Sequence, residues 1–283
     1  MPRIALEKDQ PFSLDLTLGC GQAFRWDKGE DGWWSGVADG QAIRCRLKAE
    51  TLSFEGAGEA YIRHYFSLDT DLNEILDAID CDPFIHAAID RSSGLRLVRQ
   101  PPWECLCSYI CATNTNIPAV RRRIALLSEQ FGDPVGSGSV RGYAFPGPER
   151  IACHDSDECL STCKLGYRAP YVFTSSRDAA AQAGWAERIQ NLPYDAARKE
   201  MTKFAGIGPK AADCVLLFAF QKYEAFPVDV WIRRIMREHY LPELPDGAPL
   251  SGREYDTIRG FARKHFGEYC GYAQEYLYAG REG

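Results

Sequence analysis

The run FAGIGPKAADC, residues 204–214, decides how the rest of the chain is read. It puts a lysine at the opening of a segment with almost no charge. From Lys210 to Phe220 (KAADCVLLFAF) the only charged side chains are Lys210 and Asp213. A segment apolar on most sides reads as a buried helix, where an ammonium is expensive. Taken alone, Lys210 is most simply a helix-end lysine whose stem packs while its amine reaches water. Just upstream, Gly206 and Gly208 let the backbone turn sharply and approach another chain, and Pro209 is pre-set for a first helical turn. The helix start so formed offers unpaired N–H groups and partial positive charge, which suit a phosphate. With a helical pattern over 194–204 before it, the order is helix, tight glycine hairpin, helix. A short GxG by itself occurs in many unrelated turns.

Nineteen residues after Lys210 comes Asp229, in FPVDVWIRRIMREHY. Pro227 fixes the approach, and Asp229 precedes an amphipathic pattern with Ile232, Ile235, Met236 and Tyr240 on its apolar side. Its simplest role is helix N-cap, worth roughly 1 kcal/mol. A cap is fixed in orientation, and a fixed carboxylate is also what electrostatic catalysis needs. The two roles are compatible.

Working outward, 283 residues with 45% hydrophobic and 25% charged content describe a globular chain able to form two or three lobes. The opening MPRIALEKDQ has no apolar run, so no secretory signal is expected, and no apolar stretch reaches membrane-spanning length. An intracellular setting, no membrane association and a monomer are expected. Eleven cysteines at irregular spacings fit reduced thiols better than a disulfide framework. Cys153, His154, Cys159 and Cys163 form a C-H-x4-C-x3-C cluster, but it lacks a paired C-x2-C knuckle and 155–163 reads as helix. The net charge of −6 argues against a broad nucleic-acid surface. Arg121–Arg123 and Arg233, Arg234 and Arg237 are local basic concentrations, which by themselves read as solvated helix faces.

The first part has strand character. SLDLTL (13–18) alternates, GQAFRW follows a glycine-rich break, WWSGVADGQAIRCRL carries an Asp39-Gly40 hairpin signal, and TLSFEG (51–56) adds a strand. From about Gly94 the chain reads as almost wholly helical: 103–112, 117–131, 155–164, 194–204, 210–220, 230–240, 252–266 and 272–279. The expected fold is therefore α+β, an N-terminal mixed domain on an antiparallel sheet (1–92) followed by a mainly α-helical region (93–283).

GIGPKAADC followed by PVDV resembles the helix-hairpin-helix, glycine/proline-rich, aspartate superfamily of DNA glycosylases, the hairpin falling around 194–221. Within it the chain is most similar to 8-oxoguanine DNA glycosylases. GQAFRW (21–26), ICATNTNI (110–117), LGYRAPYV (165–172) and GYAQEYLYAG (271–280) match in order, so the resemblance covers most of the chain. It implies that Lys210 is a nucleophile attacking C1′ of the damaged nucleotide. A helix N-terminus and apolar surroundings would disfavour the charged amine, while Asp229 stabilises the charge developing on the sugar. The resulting Schiff base permits β-elimination, so base excision is coupled to a lyase step. By the same resemblance the Gly21 carbonyl accepts from N7–H of the oxidised base, Gln274 binds its Watson–Crick edge, and Cys214 and Tyr278 sandwich it. Asn114, Tyr167 and Arg168 would fill the gap and meet the orphaned base, and Gly206 and Gly208 would approach the phosphates. The implied partner is double-stranded DNA containing a damaged base. No catalytic metal is required, although the hairpin carbonyls could hold a structural cation such as potassium.

Departures from the family pattern matter. Better-known members have a second arginine where this chain has Ala119, so relaxed selectivity for the base opposite the lesion is expected. Trp231 replaces a histidine after PVDV. Only Cys270 lies beyond Cys214, so the four-cysteine cluster of iron–sulfur relatives is missing. The alternatives are a superfamily glycosylase for another lesion, such as an alkylated base, or a non-catalytic helix-hairpin-helix DNA-binding protein. Lys210 and Asp229 together speak against the latter, since phosphate binding needs neither.

Overall fold

In the computed structural model, which describes residues 1–281 apart from 8, 138, 139 and 248, the N-terminal strands form one antiparallel sheet. They are β1 (Arg3–Ala5), β2 (Trp26–Lys28), β3 (Trp34–Ala38), β4 (Gln41–Lys48) and β5 (Thr51–Glu55), in the order β1-β5-β4-β3-β2. Asp39 and Gly40 both take positive φ, 50° and 68°, as a two-residue hairpin between β3 and β4 requires. Alternate residues of these strands (Trp26, Trp34, Ile43, Cys45, Leu52, Phe54) pack with Leu14, Leu18, Ile62 and Phe66 into one apolar cluster.

The stretch 13–18 departs from the strand expectation. It is a helix, Leu14–Gly19, capped by the Ser13 side chain, which accepts from the Leu16 N–H at 3.3 Å. Leu14, Thr17 and Leu18 are the buried positions. That i, i+3, i+4 spacing belongs to a helix, and buried Thr17 was hidden from a pattern that counted only leucines. The hydroxyl of Thr17 accepts from the Arg96 N–H at 3.1 Å.

Beyond the sheet the chain is mainly helical, with one exception the sequence pattern did not show. A hairpin of β6 (Pro134–Ser137) and β7 (Val140–Tyr143) lies against β3 and β4, where Val140 packs with Val37 and Ala42. Residues 157–163 form a 3₁₀ rather than an α-helix, and helices Ala169–Ala181 and Trp185–Gln190 are additional. The helix Ile117–Phe131 starts and stops as expected, Asn116 capping it through Ala119 N–H at 3.0 Å. Leu72, Ile75, Ile79, Ile85 and Ala88, which the sequence assigned to the N-terminal part, pack into the helical core.

At the centre of that core runs the helix Pro209–Phe220, buried from Ala212 to Phe220. Asp213 has no exposed surface. Its carboxylate takes hydrogen bonds from Tyr194 OH (2.7 Å), Tyr255 OH (2.6 Å) and Arg198 Nε (2.9 Å), tying two helices, Tyr194–Met201 and Gly252–His265, to the lysine helix. Asp213→Ala would leave Arg198 and two hydroxyls without their acceptor. We expect a loss of about 3–5 kcal/mol, the usual cost of removing one partner of a buried ion pair. Denaturant unfolding checks this, and a loss below about 1 kcal/mol would show that the network can relax around the gap.

Most of the clustered arginines are engaged within the fold, while Arg122 is exposed. Arg121 pairs with Asp27 at 2.8 Å, Arg123 donates to the Cys111 carbonyl at 3.0 Å, and Arg233, Arg234 and Arg237 pair with Glu254, Glu238 and Asp246. All eleven cysteines are free thiols. Cys163 is buried at 3.3 Å from Gln130 Oε1, whereas Cys153 is exposed. Among the described residues, no helix is long and apolar enough to cross a membrane.

Candidate active site

The glycine hairpin owes its shape to two different backbone demands. Gly206 has φ +81°, and a Cβ there would come within 2.8 Å of Tyr171 Cβ. Gly208 is extended, exposed and open on the side a Cβ would occupy, and it gives the helix no side-chain cap. Pro209 has no N–H, so the first free donors of the helix are at Lys210 and the residue after it. A phosphate can reach them. Ile207, between the glycines, is buried and anchors the turn.

Lys210 leaves this helix start partly buried, its Nζ 5.2 Å from the centroid of the Tyr109 ring. Opposite it, Asp229 Oδ1 accepts from Trp231 N–H (3.0 Å) and Ile232 N–H (2.8 Å), which fixes the carboxylate as the cap of Val230–His239. Pro227 and Val228 before it are buried, so the cap cannot swing. Lys210, Asp229, Gly21, Cys214, Gln274 and Tyr278 all open on one cavity of about 160 Å³. That volume is comparable to the cavity of about 150 Å³ that admits benzene. It suits one planar ring system.

The electrostatics differ from the expectation of a neutral lysine. Burial pushes the Lys210 pKa down, but Cys214 and the Asp229 carboxylate outweigh it, and the net shift is upward. Cys214 itself is pushed up to about 11 by burial, against the pull of Lys210. It is therefore a thiol at neutral pH, and the lasting charge beside the amine is that of Asp229. In the free protein Lys210 is an ammonium.

Gly21 has φ +101°, a conformation few side chains tolerate, and so turns its peptide group at the cavity wall. Tyr278 is held from behind by the Arg281 guanidinium, 3.7 Å from its ring centroid. Ala112, Thr115 and Ile117 carry the wall to the turn at Asn114. Asn114 takes φ +47° and its amide lies 3.4 Å from Tyr167 OH. The Tyr167 ring is 53% exposed. Arg168 is placed differently. It is buried, 4.3 Å under the Tyr167 ring, and donates to the carbonyls of Thr113, Asn114 and Leu165. It shapes the turn that presents Asn114 and Tyr167. Beside Asp229, Val230 and Trp231 are exposed apolar side chains.

Among the cavity residues that the sequence reading did not assign to the site are Cys20, Tyr109 and Glu275. For Glu275 the signal was available. It is the only charged residue in the helix Cys270–Ala279, the same anomaly that singled out Lys210.

A glycine hairpin delivering a lysine to a ring-sized cavity, faced by a capping aspartate, defines the class of helix-hairpin-helix DNA glycosylases. Residues 3–106 match the model of the 8-oxoguanine DNA glycosylase N-terminal domain. A probable N-glycosylase/DNA lyase of Methanothermobacter thermautotrophicus is 33% identical over 238 residues, 77% of this chain and 72% of that one. The N-glycosylase/DNA lyase of Saccharomyces cerevisiae is 27% identical over 98% of this chain and 85% of its own. Clostridium acetobutylicum 8-oxoguanine glycosylase/lyase, solved with double-stranded DNA containing cytosine opposite 8-oxoguanine, superposes with a TM-score of 0.87. Its identity is 31%, over 96% of this chain and 95% of that one. The chain belongs to the 8-oxoguanine DNA glycosylase family of N-glycosylase/DNA lyases.

Proposed function

We infer that this chain excises oxidised guanine from duplex DNA and then cleaves the strand at the resulting site. Lys210 and Asp229 facing each other across a ring-sized cavity carry that reading. Extruding a nucleotide costs a few kcal/mol of stacking and pairing. Tyr167 and Asn114 are placed to fill the vacated space, and the hairpin N–H groups to hold a neighbouring phosphate. The base enters between Cys214 and Tyr278, with the Gly21 carbonyl accepting from N7–H and Gln274 meeting the Watson–Crick edge. An ordinary guanine has a lone pair at N7, so the carbonyl loses its donor and faces another acceptor. An unmet buried acceptor costs about 1–3 kcal/mol. Lys210, once deprotonated, forms the bond to C1′ as the base departs, and Asp229 offsets the positive charge on the sugar. Breaking of the C1′–O4′ bond, with O4′ taking up a proton, opens the sugar to an iminium that acidifies C2′, and loss of that proton expels the 3′ phosphate. These steps call for no metal. A monovalent cation on the hairpin carbonyls would serve DNA binding.

Opposite-base selectivity is the finer part of the proposal. Position 119 is alanine, its N–H spent on the Asn116 cap, and Arg168 is engaged with carbonyls. A good bidentate base contact is worth about 1–3 kcal/mol of discrimination, and one such contact is missing. Single-turnover excision of 8-oxoguanine opposite each of the four bases tests both levels, with borohydride trapping as the lyase readout. We expect release and trapping in all four duplexes, with rates spread over less than about tenfold. No release from any of them would overturn the oxidised-guanine reading. Release opposite cytosine alone would overturn only the relaxed selectivity.

A further inference from the structure

The helix Cys270–Ala279 is buried from Cys270 to Leu277, and Glu275 within it is only 5% exposed. A carboxyl in that position is costly unless something pairs with it. Among the described residues no cation forms an ion pair with Glu275, and its Oε2 has no hydrogen-bond partner. The neighbouring Gln274, 4% exposed, also has an unpartnered oxygen, Oε1. Both residues line the Lys210 cavity. One oxygen on each of two adjacent side chains is thus buried without a donor in the wall of the cavity where a ligand enters. A buried acceptor without a donor is tolerated where the donor arrives with the ligand.

The class of ligand follows from the count of donors. An oxidised guanine offers three N–H sites along its edges: N7–H, N1–H and the exocyclic 2-amino group. The proposed function spends N7–H on the Gly21 carbonyl and leaves N1–H and the 2-amino group to the Watson–Crick side, where the free oxygens of Gln274 and Glu275 give each donor an acceptor of its own. Resting on that reading, we propose that Glu275 is a further base-reading residue, its free carboxylate oxygen accepting a hydrogen bond from the 2-amino group of the extruded guanine lesion. Flipped bases are commonly read along this edge, and the 2-amino group is the donor that marks guanine in a base pair.

The surroundings make this contact sensitive to pH. Facing Glu275 are the Cys20 thiol, the Asp229 carboxylate, Lys210 and Cys214 from the lysine helix, Tyr109, and Tyr278 on its own helix. Burial raises the Glu275 pKa to about 7, with Asp229 adding to the rise and Cys20, Lys210 and Gln274 opposing it. The accepting form is the carboxylate. Recognition of the 2-amino group is therefore present above neutrality and fades as pH falls through that value.

The test compares single-turnover excision of 8-oxoguanine with that of 8-oxohypoxanthine, which lacks only the 2-amino group, both opposite cytosine. The unmodified chain should prefer 8-oxoguanine by about ten- to a hundredfold at pH 8, the range of a hydrogen bond to a charged group. E275A should reduce that preference to less than about threefold. E275Q, which matches the native shape and guards against a cavity collapse in E275A, should show a preference that no longer grows between pH 6 and pH 8. Equal slowing of both substrates by E275A, or an E275Q profile that rises like that of the unmodified chain, would overturn the assignment. If the unmodified chain releases neither base, the oxidised-guanine reading itself fails and takes this one with it.

Discussion

Lys210→Gln leaves no protein covalently attached to DNA when a lesion-containing duplex is treated with borohydride, and strand cleavage falls by at least about 10³-fold, the scale on which removal of a nucleophile acts. Glutamine is chosen because it keeps most of the volume and polarity beside Tyr109 and Cys214 but cannot form an iminium. It also leaves Gly206, Gly208 and Pro209 untouched, so duplex binding should persist, as a mobility-shift assay can show. The upward shift of the Lys210 pKa adds a second expectation. Only the neutral amine attacks, and in the free protein Cys214 and the Asp229 carboxylate favour the ammonium. Trapping by the unmodified chain should therefore accelerate as pH rises through the alkaline range, until the amine is freed. Trapping by the glutamine variant at anything near the native rate would mean that another amine carries the chemistry.

What the sequence disclosed and what it concealed divide along a physical line. Local backbone chemistry was readable: Asp39-Gly40 has the residues that a positive-φ hairpin demands, and Asn116 with Pro118 marks the start of the helix Ile117–Phe131. Residues 13–18 misled because alternating leucines fit two periods, and the choice between them depends on the partner of Thr17, which lies 79 positions away in Arg96. The β6–β7 hairpin was missed for a related reason. Among the described residues its one deeply packed side chain is Val140, held by Val37 and Ala42 of the distant sheet. At the site, residue types singled out Lys210 and Asp229, the family resemblance implied Gly21, Cys214, Gln274 and Tyr278, and the fold brings these six to one cavity. Charge state is a different matter. The resemblance implied a neutral lysine among apolar neighbours, but the fold sets Cys214 and a carboxylate from 19 residues downstream beside it.

Asp229→Asn separates two duties that one side chain performs. As a cap, the side chain accepts two helix N–H bonds through Oδ1. Asparagine caps about as well as aspartate, so stability and duplex affinity should change little, by less than about 1 kcal/mol. As a catalyst, it sets a full negative charge against the positive charge developing on the sugar, and an amide dipole cannot replace that. Excision of 8-oxoguanine should slow by about 10²–10³-fold, the cost of losing one preorganised electrostatic partner. The same substitution removes one of the two groups, with Cys214, that raise the Lys210 pKa, so it should make the amine more available. On a duplex carrying a ready-made abasic site, where no base needs to leave, borohydride trapping by the asparagine variant should match the unmodified chain or exceed it. Opposite signs on the two substrates can arise only if Asp229 acts on the departing base and the sugar charge. Parallel losses on both would instead mean that the carboxylate serves by placing Lys210, and the electrostatic role would have to be given up.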